Sequence, residues 1–192
     1  MRPLFAVLLL AVSGPALAQD QWRIVQGSVR VLCPLTVGGS FEARGVGLKG
    51  SLSLKAGKPA AFEGKIEMPL AGLDTGIGLR NEHMKDNYLE IGKGPDFASA
   101  FLSSITLPGA DAATVSGKTA FSGDLLVHGV TRRVNGTAEI RRVGTSIHIS
   151  ARLPVRLPEF AIPSPRYLGV GVRDEVQVSV VLEAAPAAQE VR

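Results

Sequence analysis

The sequence predicts an antiparallel β protein, and three observations lead to this prediction. Apolar and polar residues alternate along most of the chain, as they do where one face of a strand is buried and the other meets water. Residues 62–68, Phe-Glu-Gly-Lys-Ile-Glu-Met, are the clearest case. Eight or nine such segments are separated by short stretches rich in glycine and proline, which are typical of turns. Residues 73–101 lie between two alternating segments but do not alternate, and residues 81–90 within them carry a short helical pattern.

The predicted strands follow one another with short connections. The first begins at Trp22 and kinks at Gly27, and the second surrounds Phe41. Residues 154–165 contain four prolines and are predicted to form a long loop, because proline cannot donate a hydrogen bond within a central strand. Residues 184–192 are predicted to fray. The other alternating segments are residues 48–54, 62–68, 101–107, 119–127, 134–140, 147–153 and 176–182.

A closed barrel and a two-sheet sandwich share this strand pattern. Glycines recur on the apolar faces of the predicted strands, at Gly50, Gly64, Gly123 and Gly136. In a barrel, such glycines relieve crowding or permit sharp coiling of a strand. They therefore favour the barrel.

Residues 1–18 have the pattern of an export signal. Arg2 supplies the positive end, residues 4–12 form an apolar run, and Ala16-Leu17-Ala18 is a small-residue cleavage site. The run is far shorter than the roughly 20 residues that a membrane-spanning helix needs. We therefore expect export and cleavage after Ala18, one domain over residues 19–185, and a flexible tail over residues 186–192.

Composition argues against two classes of protein, those that bind nucleic acids and those that are stabilised by internal disulfides. The net charge is +4 and the basic residues are scattered, with one Trp and two Tyr. Nucleic-acid binding needs a basic stripe interleaved with exposed aromatic residues, so no nucleic-acid partner is expected. The single cysteine, Cys33, excludes an internal disulfide and lies in an apolar strand, where a buried inert thiol is expected.

Three short blocks carry a family resemblance. Asp74-Thr75-Gly76, followed by Arg-Asn-Glu-His-Met-Lys at residues 80–85, resembles the signature of the YceI-like family. Residues 123–131, Gly-Asp-Leu-Leu-Val-His-Gly-Val-Thr, resemble a second block of that family, and residues 172–176 resemble its entry into the last strand. The match runs over roughly residues 22–184 in the expected order.

This resemblance implies a fold and a ligand. Members of the family are small lipocalin-like barrels, often periplasmic, with eight antiparallel strands and an apolar interior that holds a polyisoprenoid lipid or quinone. No required cofactor is implied, a homodimer is allowed because many members dimerise, and the basic pairs 132–133 and 141–142 allow transient contact with a membrane surface. The expected barrel-lining, ligand-binding residues are Ile66, Met68, Phe101, Phe121, Leu125, Ile147, Ile149, Val176, Val178 and Val180. The alternative is that large side chains fill the interior, leaving a non-catalytic periplasmic stress or interaction protein.

Three polar residues of the 73–101 stretch are candidates for the mouth of the barrel. Asp74, Arg80 and His83 would orient a quinone ring or headgroup there. The alternative is structural: Asp74 caps a turn, and Arg80 pairs with it or with Glu82. His128 is expected to face outward or to lie in the following turn, and it is not predicted to contact the ligand.

No enzymatic activity is expected. The sequence has no Gly-x-Ser-x-Gly elbow, His-Glu-x-x-His helix or phosphate-binding loop. Its three histidines lack the spacing of metal ligands, so no metal site is predicted. A small hydrolase or isomerase that uses Asp74, Glu82 and His83 remains the enzymatic alternative.

Overall fold

The computed structural model describes residues 21–55, 57, 59–110, 116–167 and 169–187, so the expected export signal lies outside the described residues. Its strands are β1 Gln21–Pro34, β2 Ser40–Val46, β3 Lys49–Lys55, β4 Ala60–Pro69, β5 Ser99–Leu107, β6 Gly117–Val127, β7 Val130–Val143, β8 Ser146–Arg156, β9 Arg166–Tyr167, β10 Val170–Gly171 and β11 Glu175–Pro186. The helices are α1 Gly78–His83 and α2 Pro95–Ala98, with 3₁₀ turns at Leu70–Gly72, Ile91–Lys93 and Leu157–Phe160 and a π turn at Met84–Tyr88.

The barrel closes because the last long strand pairs with the first. Antiparallel neighbours run in the order β3, β4, β5, β6, β7, β8, β11, and β11 then pairs with β1 from Trp22↔Pro186 to Leu32↔Gln177. Strand β3 pairs with residues 21–23 of β1 and strand β2 with residues 28–34, so these two short strands occupy a single position in the wall. Eight positions therefore close the ring, and the predicted eight-stranded antiparallel barrel is confirmed.

Two glycines permit a sharp coil between β3 and β4. Gly50 and Gly64 have φ of +136° and +112°, values that side chains with a Cβ rarely adopt. A Cβ at Gly64 would overlap the carbonyl oxygen of Ser51, and one at Gly50 would overlap that of Lys65. These two glycines therefore allow neighbouring backbones to approach closely, and a side chain at either position would meet strand backbone and not the barrel interior.

Two predicted boundaries were wrong. Pro154 lies within β8 and pairs with Gln177 of β11, whereas the β7–β8 pairing ends at Arg152, so this proline has a strand neighbour on one side only. At the carboxyl end, β11 continues through Pro186, and the Ala187 N–H donates to the Gln21 carbonyl at 2.8 Å. Pairing with β1 thus holds a segment that its composition alone suggests would fray.

The insert, residues 70–98, joins β4 to β5 and is attached first at Asp74. The backbone groups of Asp74 and Arg44 exchange two hydrogen bonds of 2.8 Å, which places the insert along the free side of β2. The Asp74 carboxylate accepts hydrogen bonds from the Gly76 N–H at 2.8 Å and the Asn81 amide at 2.6 Å. The first of the structural roles considered for Asp74 is therefore present, because its side chain closes the turn that leads into α1.

The second attachment is His128, in the turn between β6 and β7. It is buried, with a positive φ of 53°, and its Nδ1 and Nε2 lie 3.0 Å from the Phe160 carbonyl and 2.9 Å from the Glu90 carboxylate. The Phe97 ring packs edge-on against the imidazole at 4.9 Å. Each ring nitrogen of His128 therefore lies within hydrogen-bond distance of an oxygen atom. His128 therefore ties the insert to the segment after β8.

Replacing Gly64 with Ala should lower the free energy of unfolding by at least about 2 kcal/mol, because the new Cβ meets strand backbone at an unfavourable φ. Urea denaturation of the wild type and the variant measures the difference. Gly78→Ala is the matched control, since a Cβ there meets no heavy atom within 4 Å. Equal stability of the two variants would contradict the close approach of β3 and β4.

The attachment at Asp74 should weaken in acid. Hydrogen bonds from Asn81 and Gly76 lower the pKa of the Asp74 carboxyl below its ordinary value of 3.8. The stabilisation that the Asp74 carboxylate gives the turn is therefore complete above about pH 3.8 and is lost as the pH falls through the lower folded-state pKa.

At neutral pH, Asp74→Ala should speed hydrogen exchange of the Gly76 amide several-fold, whereas Asp86→Ala, at an exposed position of the insert, should not. Unchanged exchange in the Asp74 variant would show that the turn is held by other contacts.

Candidate functional site

The barrel encloses an apolar cavity of about 860 Å³. Inward side chains of its strands form the wall, with large residues such as Leu52 and Phe121 between small ones such as Ala43, Ala138 and Ala151. The small residues leave space that larger neighbours do not fill. The interior is therefore hollow, in contrast to the filled barrel considered from the sequence.

One end of the barrel is packed shut. Trp22 is 3% exposed, its Nε1 donates to the Thr145 carbonyl at 3.0 Å, and its ring packs edge-on against Phe62 with centroids 6.3 Å apart. Ile147, which is 2% exposed, lies near the start of β8, two residues after Thr145 in the β7–β8 hairpin. The cavity consequently opens only toward the other end of the barrel as far as the described residues define it.

Three segments frame that opening, which we call the mouth: the insert, the β1–β2 turn, and the described residues 157–167 and 169–172. Tyr88 of the insert accepts a hydrogen bond of 3.4 Å from the Arg166 N–H, which links two of these segments. Ile77 and Leu79 line the mouth but remain 49% and 59% exposed. The mouth thus combines exposed apolar side chains with polar groups.

The structure places most of the predicted lining residues at the cavity wall, although their role in binding stays a prediction. Two of them, Phe101 and Ile147, do not line the cavity, and Ile147 belongs to the packed end. The residues at the wall are Ile66, Met68, Phe121, Leu125, Ile149, Val176, Val178 and Val180.

Phe101 faces outward because β5 contains a bulge. Strict alternation from Ile105 assigns Phe101 to the inner face, but Ser104 has a positive φ of 51° and the β5–β6 register shifts between Ser103 and Thr106. Leu102 and Ile105 therefore both line the cavity, although three positions separate them. The Phe101 ring instead lies beneath the Lys65 ammonium, 4.2 Å from its centroid.

Of the three predicted mouth residues, Arg80 and His83 line the cavity and Asp74 does not. The alternative considered for Arg80, an ion pair with Asp74 or Glu82, is not formed among the described residues, and the Asp74 carboxylate bonds the neighbouring Asn81. The Arg80 guanidinium stacks on the Phe41 ring, with its Cζ 4.3 Å from the ring centroid. Within the described part of the chain, no hydrogen bond or ion pair joins Asp74, Glu82 and His83 to one another, so the geometry gives the enzymatic alternative no acid–base pair among them.

Sequence reasoning missed Phe41 as a site residue and did not place Cys33 at the cavity. These two residues are paired across β1 and β2, and both line the cavity. Burial raises the pKa of the Cys33 thiol to about 11, against the opposing charge of Arg80. The alternation Phe41-Glu42-Ala43 was visible, but the glycines around it obscured which face was buried.

The charged groups at the site are arginines. Arg80 and Arg166 line the cavity together with His83, and no described aspartate or glutamate does. The described residues include no cluster of three His, Cys, Asp or Glu side chains that could hold a metal ion. None of the helices in the described part of the chain has the length and apolar character that a membrane span requires.

Solved structures with the same architecture are known. BcnA of Burkholderia cenocepacia superimposes with a TM-score of 0.64 at 16% identity, covering 83% of this chain and 96% of that chain. A polyisoprenoid-binding domain from Saccharophagus degradans, implicated in plant cell wall breakdown, has a TM-score of 0.61 at 16% identity and covers 88% and 99%. The YceI protein of Campylobacter jejuni has a TM-score of 0.50 at 16% identity and covers 98% and 94%. At these identities the likeness shows the fold alone.

Sequence comparison is decisive for the family. A search of curated proteins found no significant match. The YceI-like domain model matches residues 22–184, which is most of the chain. The match includes every strand of the barrel wall apart from the first residue of β1 and the last two residues of β11. The protein therefore belongs to the family of YceI-like domains.

Proposed function

We propose that this protein binds a polyisoprenoid lipid or isoprenoid quinone inside its barrel and carries or stores that lipid in the periplasm. The observation that carries the proposal is the apolar cavity of about 860 Å³ with a mouth at one end. This volume lies within the range of about 300–1,000 Å³ that is usual for small-molecule sites. Family membership and the polyisoprenoid-binding relative from Saccharophagus degradans support the same class of ligand.

The apolar wall supplies the driving force for binding. Each methylene removed from water contributes about 0.8 kcal/mol, so an isoprenoid tail gains far more than a single polar contact provides. Association and ordering of the flexible tail offset much of this gain. A lipid that leaves a bilayer gains little from the transfer, since its tail was already dry. The proposed role is therefore to shield the tail from water during transit.

The mouth suits the passage of a lipid from a membrane. Ile77 and Leu79 expose apolar side chains there, and Arg80 and Arg166 lie in the same rim. Apolar side chains insert into the headgroup region of a bilayer, and cations are attracted to anionic headgroups. We propose a transient contact of this rim with the membrane surface during loading. A homodimer remains a prediction from the family resemblance.

Two phenylalanines in the cavity should block lipid uptake. Ala138 and Ala151 face each other across β7 and β8 and both line the cavity, so Ala138→Phe with Ala151→Phe places two rings in its volume. Native mass spectrometry of the wild type, purified without detergent, should show an added lipid mass. The double variant should lose that mass and bind offered isoprenoid quinone at least about tenfold more weakly, the equivalent of two lost methylene contacts.

The control for this experiment is the adjacent cross-strand pair on the outer face. Thr137 and Arg152 are paired and exposed, so Thr137→Phe with Arg152→Phe adds the same two rings outside the cavity. The control should retain the lipid. A wild-type protein that carries no lipid and takes up no quinone would refute the proposed function, as would a folded cavity variant with undiminished uptake.

Export can be tested by the mass of the mature protein. When the full chain is expressed in a bacterium with a periplasm, the protein recovered from that compartment should begin at Gln19, because cleavage is proposed after Ala18. Intact-mass measurement of the periplasmic fraction checks this expectation. Full-length protein confined to the cytoplasm would contradict it.

A further inference from the structure

Arg80 is a half-buried cation at the mouth with no charged partner among the described residues. Its guanidinium makes one described contact, the stacking on the Phe41 ring. Such stacking occupies a face of the planar group and leaves the N–H donors along its edge available. Burial of an arginine without a carboxylate is costly, so these groups usually lie opposite an anion.

The position of Arg80 is set by two paired strands. Phe41 of β2 lies opposite Cys33 of β1, and the positive charge of Arg80 acts on the Cys33 thiol at the cavity wall. Arg80 itself is on α1, in the part of the insert that Asp74 and Asn81 hold against β2. The guanidinium is thus fixed between the apolar cavity and solvent, where the headgroup of a lipid would lie.

Two acidic side chains of the insert, those of Asp74 and Glu90, bond to groups other than Arg80. The Asp74 carboxylate accepts from Asn81 and Gly76, and the Glu90 carboxylate lies within 2.9 Å of both Lys93 and His128. These contacts lower the pKa values of both carboxyls, so each stays charged and occupied at neutral pH. Neither of them lines the cavity.

The charged groups of the mouth include a second guanidinium. Arg166 lines the cavity together with Arg80, and no described carboxylate does, whereas the Thr75 hydroxyl already donates to Asn81 at 2.8 Å. A phosphate or carboxylate gains both hydrogen bonds and charge attraction from guanidinium groups, whereas a neutral headgroup gains the hydrogen bonds alone. The lining therefore complements a negative charge.

We propose that the lipid bound by this protein carries an anionic headgroup, a phosphate or a carboxylate, which the Arg80 guanidinium binds at the mouth. The inference rests on the proposed lipid-binding function and narrows the class of its ligand. Phe41 supports the guanidinium from one side, so that its edge is presented to the headgroup while the tail enters the barrel. Arg166 is the second cation within the same lining.

The test compares three isoprenoids with the same tail: geranylgeraniol, geranylgeranyl phosphate and geranylgeranoic acid. Their affinities are measured for the full-length mature protein and for Arg80→Gln, which keeps hydrogen-bond donors but removes the charge. A hydrogen bond to a charged group contributes enough for at least about a tenfold preference. The wild type should prefer one or both anions over the alcohol by that factor, and Arg80→Gln should bind all three similarly.

The pattern among the ligands identifies the source of the charge. Preference for the phosphate alone assigns a prenyl phosphate, preference for the acid alone assigns a carboxylate lipid, and preference for both assigns the shared charge. Equal affinities of the wild type for all three would overturn the inference and leave the proposed function standing. Failure to bind any of them, with no lipid in the purified protein, would instead remove the proposed function itself.

A matched control separates the site from the overall charge. Arg141 pairs with Glu139 near the β7–β8 hairpin, far along the barrel from the mouth, so Arg141→Gln removes one charge without touching the cavity lining. It should retain the wild-type preference. Loss of the preference in this control, or its persistence in a folded Arg80→Gln variant, would refute the role of Arg80.

Discussion

The pairing of β1 with β11 is the interaction on which the rest of the structure depends. It runs along almost the full length of both strands and joins the two ends of the described chain. Without it the sheet would have two open edges, and its apolar face would meet water instead of enclosing a space. Closure also explains why the alanine-rich end of β11 is ordered, since Ala184 and Ala185 have partners on β1.

Closure leaves a choice between a filled and a hollow interior, and side-chain size decides it. Ala138 and Ala151 stand opposite each other on adjacent strands and remove bulk from one region of the wall. Trp22 and Phe62 concentrate bulk at the other end and seal it. An asymmetric distribution of large and small residues therefore yields a cavity with a single mouth among the described residues.

The insert is held at that mouth by polar contacts that use its own acidic residues. Asp74 closes a turn and Glu90 bonds His128, so their charges are satisfied within the attachment. Arg80 has no such partner among the described residues and instead stacks on Phe41. The two carboxylates that fix the insert thus lie outside the cavity lining, in which the described residues include the guanidinium groups of Arg80 and Arg166 and no carboxylate, and this is the physical basis for the inferred anionic headgroup.

Alternation and turn residues determined the antiparallel class and most of the inner wall, because a residue's face depends only on the parity of its position within an unbroken strand. They failed at Phe101, where a bulge at Ser104 changes that parity, and at Pro154, which is tolerated because the pairing of β8 with β7 ends at Arg152. The partner of Arg80 was likewise undetermined, since Asp74, Glu82 and Phe41 were all available in sequence. Only the tertiary structure decided these points, because each depends on which backbone lies alongside a residue, and that is set by closure of the whole barrel.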